Sequence, residues 1–304
     1  ARLLPYFNKF SPADYAWAKS QYKKAQANPA PYTPSIQELE NYYLKPIGQR
    51  YGDSFPHMLK REGFNSMDEF DEKQLILIAE KINSFLVEAL SCHLGILSLS
   101  KSISNELMWT HYASEGKGLA ITFKSEHPFF QEYQPKDVNY NPNKRASLTY
   151  YKGMVRINGK SINKNHNADG NPAKSLFLSS LYNTDGMAER LIYSKSEKWT
   201  YENETRIVCP LNICEERSGA LVQPEFGLEL PIEHSRLFES YNEINLKKIP
   251  FDAFESIVFG YSMSESDRSV ITEVVKKNTK LSHLILREAK HNIYGELQIT
   301  DLVN

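Results

Sequence analysis

The chain has 304 residues, with 36 Lys and Arg against 37 Asp and Glu, so its net charge is −1. A balance this close to zero excludes a global field that would attract nucleic acid or an anionic membrane surface. Apolar residues at 41% and charged residues at 24% are typical of a globular protein. No run of about eighteen apolar residues is present to span a bilayer, so we expect a cytoplasmic protein with no membrane partner.

The cysteines, Cys92, Cys209 and Cys214, are unevenly spaced and form no Cys-x-x-Cys pair. This pattern argues against a structural zinc or a disulfide framework and favours a reducing compartment. The histidines are scattered, so no metal site is predicted. The first residues contain neither Met nor a signal-peptide core. We therefore expect the sequence to begin inside a longer protein, with a partner domain or chain at its N-terminus.

The N-terminal part, residues 1–66, is predicted to be helical and irregular by turns. The segment Ser11–Asp14 has an N-cap followed by Pro at the first helical position, which predicts a helix to about Ala27. Ser35 begins a second, short helix. Met67–Ser91 keeps apolar residues at helical spacing, so it is predicted to be the main core helix.

After this helix the pattern changes to strands. Leu94–Ser100 and Gly118–Phe123 predict two strands, with a short helix from Asn105 to Ala113 between them. Residues 131–175 are polar and are expected to contribute least to the core. The further predicted helices are Ala173–Leu181, Gly186–Lys195 and Ser264–Asn278, and the further predicted strands are Pro224–Ile232, Ser256–Gly260, Leu284–Arg287 and Tyr294–Ile299.

Helices and strands mix without βαβ regularity, which predicts an α+β fold. We expect a helical N-terminal part packed on a mixed, mostly antiparallel and split β-sheet. Residues 1–92 are the helical portion and residues 93–304 the α+β, catalytic-like portion, and the two are expected to form one compact unit.

The segment Lys198–Val208 has the densest chemistry in the chain. If it is a strand, alternation places Glu202, Glu204 and Arg206 on one face and Asn203, Thr205 and Ile207 on the other. Two carboxylates and a cation on one face can tune a carboxylate pKa, so we expect Arg206 to pair with Glu204 or Glu202. The alternative interpretation is an exposed amphipathic strand with a solvated salt bridge.

A second dense segment, Ser98–Ala113, runs from a strand through a turn into a helix. Met108 and Tyr112 lie four positions apart on one helical face, a spacing that also fits a core helix. The residues of this segment that are able to contact a ligand are Ser98, Ser100, Trp109, His111 and Tyr112.

Several common nucleotide-binding and catalytic motifs are absent or only partly matched. No G-x-G-x-x-G follows a strand. Gly153–Ser161 resembles a phosphate loop, but five residues separate its glycines instead of four and no strand precedes it, so we interpret it as a decoy. Glu288-Ala289-Lys290 has the E-x-K form of a magnesium-dependent nuclease. Such a site would need a further acid, for example Asp252 or Glu255.

Taken together, the two dense segments resemble a widespread bacterial family known as domain of unknown function 2971. The resemblance covers about residues 90–300. Members typically begin with a strand that contains Tyr and Arg and with an Asn-Asp-Pro turn, neither of which is visible here. The matching pieces are Ile96–Ser100, Leu107–Ala113, Lys117–Phe123, Lys198–Arg206 and Ile257–Gly260.

The order of these features also resembles an ADP-ribosyltransferase fold. In that superfamily a split sheet grips NAD, an aromatic residue stacks on nicotinamide, and a carboxylate, often in Glu-x-Glu, stabilises positive charge on the ribose. The resemblance implies Glu204 as the catalytic carboxylate and Glu202 as the group that orients the acceptor. The implied catalytic residues are Glu204, Glu202 and His111, and the implied NAD-binding residues are Ser98, Ser100, Trp109, Tyr112, Tyr201 and Arg206.

Three functions remain open from the sequence. The leading hypothesis is an NAD-dependent ADP-ribosyltransferase-like effector, of toxin or phage-defence type, that modifies a protein or nucleic acid acceptor. The alternatives are a metal-dependent nuclease and a non-catalytic binding module built on Trp109, Trp199 and Tyr201. We expect the Ser98 strand, the Trp109 helix and the Trp199 strand to converge on one pocket. Ser264 should begin an ordinary capped helix packed by Val270, Ile271, Val274 and Val275.

Overall fold

The structure is a computed structural model that describes residues 2–25, 34–44, 62–91, 93–161, 186–222, 240–241 and 243–302. Its helices α1 to α7 are Pro12–Ala25, Ile36–Tyr42, Met67–Ser91, Glu106–Tyr112, Pro128–Glu132, Met187–Ile192 and Glu265–Lys277. Its strands β1 to β15 are Leu4–Phe7, Leu94–Ser100, Leu119–Phe123, Lys136–Asp137, Ser147–Tyr151, Met154–Ile157, Lys160–Ser161, Glu204–Pro210, Glu216–Ser218, Leu221–Val222, Ser240–Tyr241, Ile244–Leu246, Phe254–Phe259, Ile285–His291 and Leu297–Asp301.

The predicted α+β fold is confirmed, although the strands form several sheets instead of one. The chain divides into two compact units. Unit 1 contains Ala1–Ser91 and Asn139–Glu197, and unit 2 contains Cys92–Val138, Lys198–Gln223 and Leu230–Asn304. Residues 139–197, assigned from the sequence to the second portion, thus group with the N-terminal helices. The expectation of one compact unit stays a prediction.

The core of unit 1 lies between α3 and the four-stranded sheet β1-β5-β6-β7. The helix contributes Leu75, Ala79, Ile82 and Leu86 to it. The prediction that residues 131–175 contribute least to the core was wrong, because β5 is buried along nearly its whole length. The sequence did not indicate this burial because β5 contains polar residues, which are hydrogen-bonded inside the core. The Thr149 hydroxyl donates to buried Asp14, and the hydroxyls of Ser147 and Ser11 lie 2.9 Å apart.

Two further features of unit 1 are a strand that was not predicted, β1, and the glycine-containing segment that resembles a phosphate loop. Strand β1 was missed in the N-terminal segment because it is short and is defined by parallel pairing with β5, far away in the sequence. The phosphate-loop imitation is a pair of hairpin turns, in which Lys152-Gly153 and Asn158-Gly159 all have positive φ. Asn-Gly and Gly-containing pairs suit such turns, since both central residues need left-handed backbone angles.

Unit 2 contains the four-stranded sheet β15-β14-β13-β3 and the three-stranded sheet β2-β8-β4. The expectation that Glu202 belongs to the strand was wrong. Glu197–Glu202 is a 3₁₀ helix, Asn203 turns the chain with φ of 45°, and β8 begins only at Glu204. The predicted helix α7 is capped by Ser264, whose Oγ accepts the Asp267 N–H at 3.1 Å.

The packing predicted for α7 was partly wrong. Val275 is buried, but Val270 and Val274 are 59% and 57% exposed. The predicted elements Ala173–Leu181 and Pro224–Ile232 lie outside the described residues, as do Cys92 and the end of the first helix near Ala27. No helix within the described ranges is both long enough and apolar enough to cross a membrane.

Candidate functional site

A cavity of about 730 Å³ lies between the three-stranded and four-stranded sheets of unit 2. Strand β2 ends one sheet and β3 ends the other, and residues of both strands line the cavity. Helix α4 adds Trp109 and Tyr112 to the wall, and α5 adds Phe130. The volume falls within the range of about 300–1,000 Å³ that is usual for small-molecule sites.

Strand β8 carries different chemistry on its two faces. Thr205 lies opposite Leu99 of β2 and opposite Asp137 of β4, so these side chains share one face of the sheet. Thr205 and Leu99 line the cavity. Since successive side chains of a strand alternate, Glu204 and Arg206 project from the other face.

Glu204 and Arg206 form a bidentate ion pair on that other face. Arg206 Nε donates to Glu204 Oε1 at 2.7 Å, and a second guanidinium nitrogen donates to Oε2 at 3.1 Å. Both side chains are largely buried, at 6% exposure for Glu204 and 14% for Arg206. The predicted pairing of Arg206 with a neighbouring Glu is therefore confirmed, and Glu204 is the partner.

Glu202 does not line the cavity, but its carboxylate is hydrogen-bonded to a residue that does. The residue is 3% exposed, and its Oε1 accepts a hydrogen bond from the Tyr112 hydroxyl at 2.8 Å. Tyr112 itself lines the cavity and is 62% exposed. Glu202 thus reaches the cavity through the hydroxyl of Tyr112.

The wall formed by α4 is fixed by hydrogen bonds at its N-terminal end. Asn105 caps the helix by accepting the Leu107 N–H, and its amide donates to the Tyr201 carbonyl at 2.6 Å. The Trp109 indole N–H donates to the Ile103 carbonyl at 2.7 Å. These bonds hold the aromatic side chains of α4 in place beside the cavity.

The two predicted serines line the cavity from the edge strand, but they differ in what they offer. The Ser100 hydroxyl lies within donating distance of the carbonyls of Glu202, at 2.8 Å, and Ser102, at 3.1 Å, and it also accepts the Ser102 N–H. This hydroxyl is occupied by backbone. Ser98 is exposed and makes no side-chain hydrogen bond within the described part of the chain.

His111 and Tyr201 lie outside the cavity lining. Their ring centroids are 6.1 Å apart, and those of Tyr201 and Trp199 are 5.9 Å apart. The three rings form an aromatic row, and His111 at one end of it precedes Tyr112 in the chain. Of the predicted site residues, the cavity lining contains Ser98, Ser100, Trp109 and Tyr112, and it does not contain Glu202, Glu204, His111, Tyr201 or Arg206.

The sequence analysis missed two lining residues of chemical interest. Lys101 is the charged residue of the lining, which contains no Asp, Glu, Arg or His among the described residues. Thr205 is 7% exposed, and its Oγ1 has no hydrogen-bond partner in the described structure. Strand alternation placed Thr205 opposite the carboxylates, and that placement was the available signal.

The residues of the nuclease alternative do not assemble a metal site. Glu288 is paired with Arg268 at 2.9 Å and with Lys290, Asp252 with His127 at 3.4 Å, and Glu255 accepts the Thr122 hydroxyl. Burial raises the pKa of Glu288, but the hydrogen bonds from Lys290 and Arg268 outweigh it and leave that pKa lowered. Across the described residues no group of three or more His, Cys, Asp or Glu is placed to hold a metal ion.

The comparisons with known proteins agree with part of this picture. The family model described as "Protein of unknown function (DUF2971)" matches residues 108–207, which include α4 from Met108 onwards, β3 and the start of β8. No curated protein and no solved structure matches the chain. The match supports the family resemblance over less than half of the chain and carries no activity with it.

Proposed function

We propose that the chain binds NAD in the cavity of unit 2 and transfers ADP-ribose from it to an acceptor. The observation that carries the proposal is the cavity itself, which lies between the end strands of two sheets. Its lining combines aromatic residues with serine and threonine residues and one lysine. This combination suits a ligand with two flat rings, two riboses and a pyrophosphate.

The chemistry would proceed by loss of nicotinamide. The bond between the nicotinamide nitrogen and ribose C1′ breaks, and its electron pair leaves with neutral nicotinamide. The acceptor's oxygen or nitrogen then bonds to C1′ and releases a proton. Positive charge builds on the ribose in between, so a nearby electron-rich group would lower the barrier.

The geometry favours Glu202 over Glu204 for that electrostatic role. Glu204 is held by Arg206 and is not part of the cavity lining. Glu202 is bonded to the Tyr112 hydroxyl, which is part of the wall. On this proposal Tyr112 contacts the ribose, Glu202 polarises and positions Tyr112, and Trp109 supplies an apolar surface for a ring.

An acceptor would approach from the exposed side of Tyr112. The aromatic row begins with His111, the chain neighbour of Tyr112, continues through Tyr201 and Trp199, and offers flat surfaces to a protein or nucleic acid. A transferase of this kind would serve as an effector of toxin or phage-defence type acting in the cytoplasm.

Release of nicotinamide from NAD tests the proposal directly, with bacterial lysate as the source of acceptors. We expect release by the wild type and a loss of about 100-fold or more in Tyr112→Phe and Glu202→Gln, the usual scale for one electrostatic group. Tyr294→Phe is a matched control, because Tyr294 is 81% exposed and lies outside the cavity lining. No turnover by the wild type with protein, RNA or DNA acceptors, or full activity in both variants, would contradict the proposal.

A further inference from the structure

The Thr205 hydroxyl is buried and has no hydrogen-bond partner in the described part of the chain. Thr205 stands on the central strand of the sheet β2-β8-β4 and lines the cavity. A buried hydroxyl in this state is costly. Rotation about χ1 exchanges Oγ1 with the methyl group, so the hydroxyl can turn into the cavity when a ligand supplies an acceptor.

Lys101 is anchored close to this hydroxyl. Its backbone N–H donates to the Asn203 carbonyl at 3.1 Å, and its ammonium contacts Asp137 Oδ1 at 2.5 Å. Asp137 is the register partner of Thr205 on β4. The Lys101 side chain therefore extends across the face of the sheet that carries Thr205.

We propose that Lys101 and Thr205 form an oxyanion-binding subsite of the cavity, which takes a phosphoryl group of the ligand. A lysine ammonium has three donors, and the contact with Asp137 leaves others for the ligand. The Thr205 hydroxyl adds a neutral donor. The described cavity lining itself contains no carboxylate, and the Asp137 carboxylate contacts Lys101 from outside that lining. The subsite rests on the proposed function in one respect: if the ligand is NAD, the phosphoryl group is its pyrophosphate.

Asp137 gives the subsite a distinctive signature. Its side chain is 66% exposed, and its carboxylate contacts the Lys101 ammonium. An arriving phosphoryl group competes with this carboxylate for the ammonium. Asp137→Asn should therefore tighten phosphate binding, whereas a purely structural ion pair would make the same substitution weaken it.

Calorimetric binding of ADP-ribose and of uncharged adenosine to the full chain tests the subsite. We expect Lys101→Gln and Thr205→Val each to weaken ADP-ribose binding by about tenfold or more, the loss of one hydrogen bond to a charged group, with adenosine binding unchanged. Thr205→Ser, which keeps the hydroxyl, should bind ADP-ribose as tightly as the wild type. Thr205→Val should also unfold at an equal or higher temperature than the wild type, since it removes a buried hydroxyl without a partner.

Two results would overturn the subsite. One is a wild type that binds ADP-ribose no more tightly than adenosine, including no binding of either. The other is equal ADP-ribose affinity in the wild type, Lys101→Gln and Thr205→Val. Failure of the proposed function looks different: ADP-ribose would bind through Lys101 and Thr205, but no nicotinamide would be released from NAD.

Discussion

At the scale of single residues, three consecutive side chains of β8 have different roles. Glu204 and Arg206 satisfy each other on one face, while Thr205 between them faces the cavity. The ion pair is a structural requirement, because each buried charge would otherwise lose its oppositely charged neighbour. The hydroxyl, by contrast, is the group left available for a ligand.

Arg206→Ala should be strongly destabilising, because it leaves the Glu204 carboxylate buried without its partner. We expect a loss of about 3–5 kcal/mol in the free energy of unfolding, measured by urea denaturation. Adding Glu204→Gln should recover part of the loss, since the uncompensated charge is then gone. Unchanged stability in Arg206→Ala would show that the pair is solvated and contributes little.

Gly260→Ala should destabilise unit 2 through a direct clash. A Cβ on Gly260 would lie 2.6 Å from the Gly118 carbonyl oxygen and closer still to that of Gly116. Both oxygens accept backbone hydrogen bonds that hold this approach, so they cannot move away cheaply. We expect a loss of about 1–3 kcal/mol or more by chemical denaturation. Gly295→Ala, where a Cβ meets no atom within 4 Å, should cost less and only through its positive φ.

At the scale of elements, the sequence was most informative where a pattern is local. The apolar spacing of Met67–Ser91 and the cap at Ser264 depend on residues within one or two turns, and both were confirmed. Strand β1 and the burial of β5 depend on pairing between distant segments, so no local pattern reveals them. The site followed the same rule. The Glu204–Arg206 pair is local to one strand, whereas the approach of Lys101 to Thr205 requires three strands in register.

The two valines at the C-terminal half of α7 offer a test of its packing. Val275 belongs to a buried cluster with Ile257, Phe259 and Met263, whereas Val274 is 57% exposed. Val275→Ala should therefore cost about 2 kcal/mol in unfolding free energy. Val274→Ala should change it by less than about 0.5 kcal/mol, because Ala has the higher helix propensity and little burial is lost. Equal costs at the two positions would mean that a partner covers Val274.

At the scale of the whole molecule, stability should depend on pH through Glu215, a carboxylate that is not part of the cavity lining. Hydrogen bonds from the Lys247 ammonium, at 2.6 Å, and from the Lys248 N–H lower the pKa of Glu215 to about 2 from an ordinary value of 4.5. A carboxyl whose pKa is lower in the folded state stabilises the protein when ionised. That stabilisation is complete above about pH 4.5 and is lost as the pH falls towards about 2.

Glu215→Gln should remove this part of the pH dependence. We expect the variant to be less stable than the wild type near neutral pH and the two stability curves to converge as the pH falls through the window from 4.5 to about 2. Circular dichroism during acid titration at several urea concentrations measures both curves. Parallel curves would show that the contact with Lys247 does not survive in solution.

The order of strands along the chain has a consequence for the protein during its synthesis. The described elements of unit 1 all precede residue 198. In unit 2, by contrast, β2 pairs with β8, and β3 pairs with β13, which ends only at Phe259. Domains usually fold as units while the ribosome is still adding residues. Both strands that border the cavity therefore leave the ribosome well before their partners, so a nascent chain completes this cavity only after Phe259 has emerged.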